Sequence, residues 1–360
     1  MSSDASSSFN LTDSRAYRNN NLKRAGIFID ALSRSEWPPS VARLANFLRA
    51  NNFVGTLSAV EKEQLEGTLS LMSYVPVHAV RDETVASPLG CEKALLRART
   101  IRTGRVKSCY GKSKAEWRNL ELEVMANLHA HPQLGTSRAE VWDEPVGILS
   151  GEGDPISTPK PDVAFGLLPE LDSASSLGEE FLVAARLQLG LHPWPSDSLR
   201  EVAYPCLLHE YVTDLEVLYF AQNRAAGTAA MALKMLRDLR NLREKRAHAP
   251  AGQQGEPLPI LVFCNQGDLW EVMIAFDYEI NRHFRKTDVH LAQIWMGKIS
   301  NPWHMFQLQV IIQRAIHWIT TVFRNGVCEM LDDIKKANLI RFASFVGIEP
   351  PVEACKMTGH

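Results

Sequence analysis

The chain lacks three features that would assign it at once to a compartment or a class of protein. No window approaches eighteen uninterrupted apolar residues, and the chain does not begin with a charged and then apolar leader, so we expect no membrane span and no secretory signal. Its six cysteines form no CxxC pair, which argues against a zinc site or a disulfide framework. We therefore predict an intracellular protein with reduced, largely buried thiols and no membrane partner.

An excess of positive charge is also absent. The formal net charge is −2 and the isoelectric point is near 6.6, so binding to nucleic acid requires a local basic patch. The best candidate in the sequence is a cluster at the end of a helix predicted over residues 89–102, although a solvated helix face is the better explanation of these charges. The cluster consists of Arg97, Arg99, Arg102, Arg105 and Lys107.

The chain does have enough apolar residues for a sizeable core, because 45% of its 360 residues are hydrophobic. The first twenty residues are rich in Ser, Asn and Asp and predict a disordered tail. We divide the remainder into an N-terminal helical region over 21–108, a main domain over 109–348 and a loose tail over 349–360.

Strand-like apolar runs alternate with helical patterns in the main domain, which predicts an α/β fold. Strands are expected at 162–168, 204–212, 259–264, 269–276 and 289–296, with a hairpin turn at Gly267-Asp268. Helices are expected at 113–129, 179–190, 214–240 and 303–323, the last one capped by Gly326. In the N-terminal region, two short helices are predicted between residues 22 and 47 and another at 59–72.

Three polar residues lie at suggestive points of this pattern. Asp162 opens one apolar strand, Glu210 lies near the end of the next strand, and Gln222 follows on a long helix. Two acids that converge at neighbouring strands can hold a hard divalent cation such as Mg²⁺ or Mn²⁺ through oxygen ligands. Each residue taken alone has a structural explanation as well, as a turn cap, an edge charge or a local hydrogen-bonding group.

The order of these elements resembles the PD-(D/E)XK nuclease superfamily, and specifically the nuclease-like proteins common in fungal genomes. The matching positions are Trp117 and Glu121 on a helix, Pro161-Asp162 before a strand, Glu210, and residues 221–224. The resemblance covers about residues 110–326. It implies a restriction-endonuclease-like central mixed sheet flanked by helices, here with an extra N-terminal helical region.

The resemblance also implies a metal-dependent phosphodiester hydrolysis. Asp162 and Glu210 would then be the metal ligands, Glu121 an accessory ligand and Gln222 a positioning residue. The position of the family's lysine, two residues after the second acid, is occupied by Val212. Valine can neither donate a hydrogen bond nor stabilise a developing negative charge. Lys160 is the candidate substitute cation, and Arg224 is a weaker one because it lies about 200° around the helix from Gln222.

Three functions remain open on the sequence. The first is an active nuclease on DNA or RNA, and the second is a degenerate relative that binds nucleic acid or protein without catalysis. The third is a repurposed scaffold that acts on a small molecule in the cleft, where His209 and Trp194 would matter more than metal. The oligomeric state is open. For each of them we expect the Asp162 and Glu210 carboxylates to lie on neighbouring strands, close enough to share one cation.

Overall fold

A mixed sheet of seven strands forms the centre of the molecule. The computed structural model describes residues 15–49, 106, 108–143, 156–172, 174–247, 257–281 and 286–337. The strands are β1 (Ile27–Ile29), β2 (Leu134–Ser137), β3 (Val163–Leu167), β4 (Ala203–Val212), β5 (Ile260–Gln266), β6 (Leu269–Asn281) and β7 (Lys286–Lys298). Their order across the sheet is β1-β7-β6-β5-β4-β3-β2.

The strand directions follow from the connections. The neighbours β2-β3, β3-β4, β5-β6 and β6-β7 are antiparallel, whereas β4-β5 and β1-β7 are parallel. All ten positions of β4 and all five of β3 are buried. Strands covered on both faces have continuous apolar runs, which is why both were visible in the sequence.

Helices cover both faces of the sheet. They are α1 (Pro39–Arg49), α2 (Lys114–Val124), α3 (Ala126–His129), α4 (Glu179–Leu189), α5 (Leu218–Ala247), α6 (Pro302–Trp318) and α7 (Arg324–Ala337). The long helix α5 is the crossover between the parallel strands β4 and β5, and it packs on both of them. A stripe of alanines makes this close packing possible, and the buried members are Ala221, Ala225, Ala229 and Ala232.

The sheet is therefore an α/β layer structure of the kind that the apolar pattern predicted, and the strands predicted at 204–212, 259–264, 269–276 and 289–296 are confirmed as β4 to β7. The hairpin turn is confirmed too. Gly267 has a φ of +54°, and a Cβ atom there would lie 2.8 Å from the Cβ of Asp214. Only glycine fits such a turn without displacing its neighbour.

Several predictions were wrong. The region over 21–108 was expected to be helical, but Ile27–Ile29 forms β1 and pairs with β7 in the central sheet. Residues 15–20 belong to the tail expected over 1–20, but they are helical, and Tyr17–Leu22 is a π-helix in which Tyr17 is buried. Gly326 does not end a helix, since α7 continues through it to Ala337.

Other predictions fall outside the described residues. These are residues 1–14 of the expected tail, the helices at 59–72 and 89–102, all five residues of the basic cluster, and the tail over 349–360. Within the described ranges, no helix is both long enough and apolar enough to span a bilayer. The four cysteines in those ranges, Cys109, Cys206, Cys264 and Cys328, are free thiols.

Candidate functional site

Asp162 and Glu210 are brought together by the register of two neighbouring strands. Val163 of β3 pairs with His209 of the antiparallel strand β4, so Asp162 and Glu210 occupy the next opposed positions, on one face of the sheet. Arg224 of α5 lies between them. Its Nε donates to Glu210 Oε2 at 3.1 Å, and its Nη2 lies 3.8 Å from Asp162 Oδ2. The two carboxylates thus share one cation, and that cation is a guanidinium.

Asp162 has two further partners. Lys114, at the start of α2, donates from Nζ to Asp162 Oδ1 at 2.7 Å. The backbone N–H of Tyr211 donates to Oδ2 at 3.0 Å. The Lys114 ammonium also lies 4.7 Å from the centre of the Tyr211 ring, a cation–π contact. Both oxygens of Asp162 are therefore engaged.

Glu210 is deeply buried and only partly paired. Its side chain is 1% exposed, and within the described ranges its Oε1 has no hydrogen-bond partner. Burial and then the charge of Asp162 raise the pKa of Glu210 to about 8, although Arg224 acts in the opposite direction. Near neutral pH this carboxyl is largely protonated in the folded state.

These contacts fit a metal site poorly. Three of the four oxygens of Asp162 and Glu210 already accept from Lys114, Tyr211 or Arg224. Among the residues that the structure describes, no three His, Cys, Asp or Glu side chains come close enough to hold a metal ion. A divalent cation would have to displace two positive side chains before it reached both carboxylates.

Glu121, the third predicted metal ligand, lies on the other face of the sheet. It is 3.8 Å from His209 Nδ1, and His209 and Glu210 point to opposite faces because side chains alternate along β4. Arg138 Nη1 donates to Glu121 Oε2 at 3.0 Å, and His129 Nε2 lies 3.2 Å from Oε1. The structure therefore does not bring Glu121 to the pair formed by Asp162 and Glu210.

The surroundings of Glu121 make it a buried structural ion pair. Burial would raise the pKa of Glu121, but contacts with His129 and His209 and the charge of Arg138 together hold it well below the usual range. His209 itself is completely buried, hydrogen-bonded to Asn265 at 2.7 Å and stacked on Trp270 at 4.9 Å. Trp194, also proposed for a small-molecule site, is 1% exposed. Neither His209 nor Trp194 is presented to a ligand.

Gln222 belongs to a separate polar cluster. Arg18 Nη2 donates to Gln222 Oε1 at 2.6 Å, and Gln222 Nε2 donates to Glu271 Oε2 at 2.6 Å. Gln222 and Arg224 leave α5 on opposite sides of the alanine stripe, as their angular separation requires. Burial raises the pKa of Glu271 to about 7. Gln222 therefore positions Arg18 and Glu271 rather than a group bound at Asp162.

Lys160 is exposed at the rim of a cleft of about 390 Å³. The cleft is lined by Lys114, Ala139, Ser157, Thr158, Pro159, Lys160, Asp162, Arg224, Gly227 and Thr228. Its strand-side loop is held in place by Tyr17, whose hydroxyl lies 3.1 Å from Ser157 Oγ and accepts from the Ser157 N–H at 3.2 Å. Three basic side chains, two hydroxyl groups and the side chain of Asp162 thus line one concavity.

No family model, curated protein or solved structure matches the chain. The interpretation of the cleft therefore rests on its geometry and on the order of the elements that build it.

The position of the missing lysine is a packing position. Val212 is 1% exposed and belongs to the apolar core beneath α5, while its carbonyl accepts from the N–H of Gly267 at 3.0 Å. The cations near the acidic pair come from two helices instead. The sequence ranks Arg224 below Lys160 as a substitute cation and does not single out Lys114. Both residues lie within residues 110–326, which carry the resemblance.

Proposed function

We propose that the chain is a degenerate PD-(D/E)XK nuclease-like protein that binds a phosphate-bearing ligand, namely a nucleic-acid strand, in the cleft beside Asp162. The proposal includes a restriction-endonuclease-like fold. The element order α2-α3-β2-β3-α4-β4-α5-β5 supports it, since it carries Glu121, Asp162, Glu210 and Gln222 in the order on which the resemblance rests.

The observation that carries the binding proposal is the charge of the cleft. Lys114, Lys160 and Arg224 contribute three positive charges, whereas Asp162 contributes one negative charge. Glu210 is largely protonated near neutral pH because its pKa is about 8. The cleft therefore carries a net positive charge in a chain whose net charge is −2, and such a local excess attracts phosphate groups.

The polar atoms in the cleft suit a phosphate. A guanidinium offers paired N–H donors to phosphate oxygens, and a lysine ammonium contributes a compact charge. The hydroxyls of Ser157 and Thr158 add polar groups along the wall, whereas the hydroxyl of Thr228 donates to the backbone carbonyl of Arg224. Contacts of this kind fix the backbone of a nucleic acid without reading its sequence, so we expect binding with little sequence preference.

A metal-dependent phosphodiesterase is the second candidate. It is favoured by the convergence of Asp162 and Glu210 and by the buried Glu210 Oε1, which has no partner within the described ranges. It is disfavoured by Arg224 and Lys114, which already contact the two carboxyl groups. An intracellular location, expected for either function, is supported by the free thiols of the four described cysteines.

The test is an anisotropy titration of short fluorescein-labelled oligonucleotides, single-stranded and duplex, at several salt concentrations. With three cations in the cleft, the logarithm of the affinity should fall against the logarithm of salt with a slope of roughly −2 to −3. Lys160→Gln should weaken binding and reduce the magnitude of that slope by roughly 1. Lys160 is a suitable target because its side chain is exposed.

Lys336→Gln is the matched control. Lys336 is an exposed lysine on α7, and α7 packs against the C-terminal part of α5 through Arg243 and Asp333, whereas the cleft lies near its N-terminal part. Affinity that is equal in the wild type, Lys160→Gln and Lys336→Gln would contradict the cleft as the binding site.

The same oligonucleotides incubated with Mg²⁺ or Mn²⁺ should remain intact. Cleavage that disappears in Asp162→Ala would instead support the phosphodiesterase.

A further inference from the structure

A second concavity lies at the β7 edge of the sheet, away from Asp162. It measures about 400 Å³, within the range of small-molecule pockets. Its lining combines arginines, amides, one indole and aliphatic side chains. The members are Arg34, Leu48, Arg49, Gln293, Ile294, Trp295, Met296, Gln307, Val310 and Ile311.

The strand pairing creates this pocket. β1 pairs with β7 only from Val289 to Leu291, so β7 continues beyond its edge partner. Two side chains bond to the part of β7 that extends beyond β1. Asp30 Oδ1 accepts from the Gln293 N–H at 2.7 Å, and His304 Nδ1 accepts from the Lys298 N–H at 3.0 Å. Those two backbone donors are unavailable to an added strand, which disfavours an extended peptide as the occupant.

The pocket has a firm apolar floor. Leu48, Ile294, Val310 and Ile311 are each at most 3% exposed, whereas the neighbouring Met296 is 43% exposed and offers a mobile apolar contact at the rim. The indole of Trp295 is held by a hydrogen bond from its Nε1 to Gln307 Oε1 at 3.3 Å. An apolar ligand body would replace water on this floor at a gain in free energy.

Two arginines face the same space without a neutralising acid. Burial and the charge of Arg34 lower the pKa of Arg49, which reports two like charges near each other. In the part of the chain that the structure describes, neither arginine forms an ion pair. Asp30 and Glu36, the acids on either side of Arg34 in the chain, instead accept from the Gln293 N–H and from the N–H and hydroxyl of Ser33, respectively.

We propose that this pocket binds a small amphipathic anion, with a carboxylate or phosphate group between Arg34 and Arg49 and an apolar body on the floor formed by Leu48, Ile294, Val310 and Ile311. An oxyanion relieves the repulsion between the two guanidiniums and accepts charge-assisted hydrogen bonds from both. The amide nitrogen of Gln307, whose oxygen accepts from Trp295, provides a further polar contact at the rim. This site is separate from the cleft of the proposed function and stands or falls independently of it.

The probe is 8-anilinonaphthalene-1-sulfonate, an aromatic anion whose fluorescence rises in an apolar environment. The full chain should bind it saturably. Arg34→Gln combined with Arg49→Gln should weaken binding by about tenfold, because two charge-assisted contacts are lost. Met296→Glu, which places a carboxylate beside the arginines, should weaken it as well. Arg43→Gln, the same change at an exposed arginine of α1, should leave the affinity within about twofold.

Competition identifies the head group. Octanoate, octyl phosphate and octanol share an apolar chain, and we expect either anion, but not octanol, to displace the probe. Displacement by octanoate alone identifies a carboxylate ligand, and displacement by octyl phosphate alone identifies a phosphate ester. Equal displacement by octanol, or unchanged probe affinity in the double arginine variant, would overturn the proposal. Thermal melts of each variant verify that the fold is retained, and the single variants Arg34→Gln and Arg49→Gln replace the double one if it is not.

Discussion

Glu210 makes the stability of the protein depend on pH in an unusual direction. Its pKa is about 8 in the folded state against 4.5 for an ordinary glutamate. Between these two values the folded protein holds a proton that the unfolded chain has released. The free energy of unfolding therefore falls as pH rises through this window, and the stabilisation from the protonated carboxyl is fully present only below pH 4.5.

The raised pKa of Glu210 contributes substantially to the free energy of unfolding. One unit of pKa corresponds to 1.36 kcal/mol, so the whole window has an upper limit of about 5 kcal/mol for this one group. Between pH 6 and pH 8 the expected loss is about 2 kcal/mol. That is a considerable part of the 5–15 kcal/mol typical of folded domains.

Glu210→Gln tests this reasoning because glutamine resembles the protonated carboxyl. Its amide oxygen can accept from Arg224 Nε, as Glu210 Oε2 does at 3.1 Å. Relative to its difference from the wild type at pH 5, we expect the variant to become more stable than the wild type by about 1 kcal/mol at pH 6 and by about 3.5 kcal/mol at pH 8. The assay is urea unfolding of both proteins at half-unit steps of pH from 5 to 9.

Glu271→Gln is the matched control. Glu271 is also 1% exposed and its pKa is raised to about 7. The difference in unfolding free energy between Glu271→Gln and the wild type should therefore level off about one pH unit below the point where that of Glu210→Gln does. Parallel stability curves for the wild type and Glu210→Gln would refute the argument, since they would show that Glu210 is ionised in the folded state throughout the range.

Three further outcomes follow from the same contacts. Glu121→Gln should destabilise the fold by about 1.5–3 kcal/mol at neutral pH, because Arg138, whose side chain is 21% exposed, loses a charged hydrogen-bond partner. Urea unfolding measures this, and since the pKa of Glu121 is lowered, the wild type should lose the difference as pH falls below about 4. Val212→Lys should not restore catalysis and should lower stability by at least about 2 kcal/mol, because the position is 1% exposed; a variant that is as stable as the wild type and cleaves DNA would contradict this. Millimolar Mg²⁺ or Mn²⁺ should leave the melting temperature of the wild type unchanged. A retained metal site would instead raise the free energy of unfolding by about 2.7 kcal/mol when the metal concentration is a hundredfold its dissociation constant. A rise in melting temperature that Glu210→Gln abolishes would contradict this expectation.

The part of the fold that sequence reasoning recovered is the part with a strong apolar period. β4 and β5 are buried along almost their whole length, so their continuous apolar runs were visible without a partner. β1 and β2 were missed because they have three and four residues, too few to show a period. Ile27–Ile29 in particular becomes a strand only because β7 offers it a paired edge.

The candidate site was recovered in part for a similar reason. Asp162 and Glu210 meet because strand register is a local consequence of the β3-β4 pairing. Glu121 does not join them because its helix places it beside His209, on the other face of the sheet. Gln222 does not join them because it leaves α5 on the side of Arg18 and Glu271. The spacing of residues gives the angle between two side chains on one helix or strand, but it does not say which side of that element faces the acidic pair.

The cations could not be assigned from spacing alone. Lys114 lies 48 residues from Asp162 in the chain, and nothing in its local sequence distinguishes it from other lysines. Arg224 was discounted because it lies on the opposite side of α5 from Gln222, but the acidic pair lies on that side.

The pairing of β1 with β7 also has a consequence for how the chain is made. The contact between Asp30 and Gln293 joins residues 263 positions apart, so this edge of the sheet cannot form until residue 293 has left the ribosome. Contacts of such long range slow folding, because the entropy of closing the intervening loop must be lost before the contact stabilises anything. During synthesis the first strand therefore has to wait for the last one, and in that interval Ile27–Ile29 is exposed to chaperones and to other nascent chains.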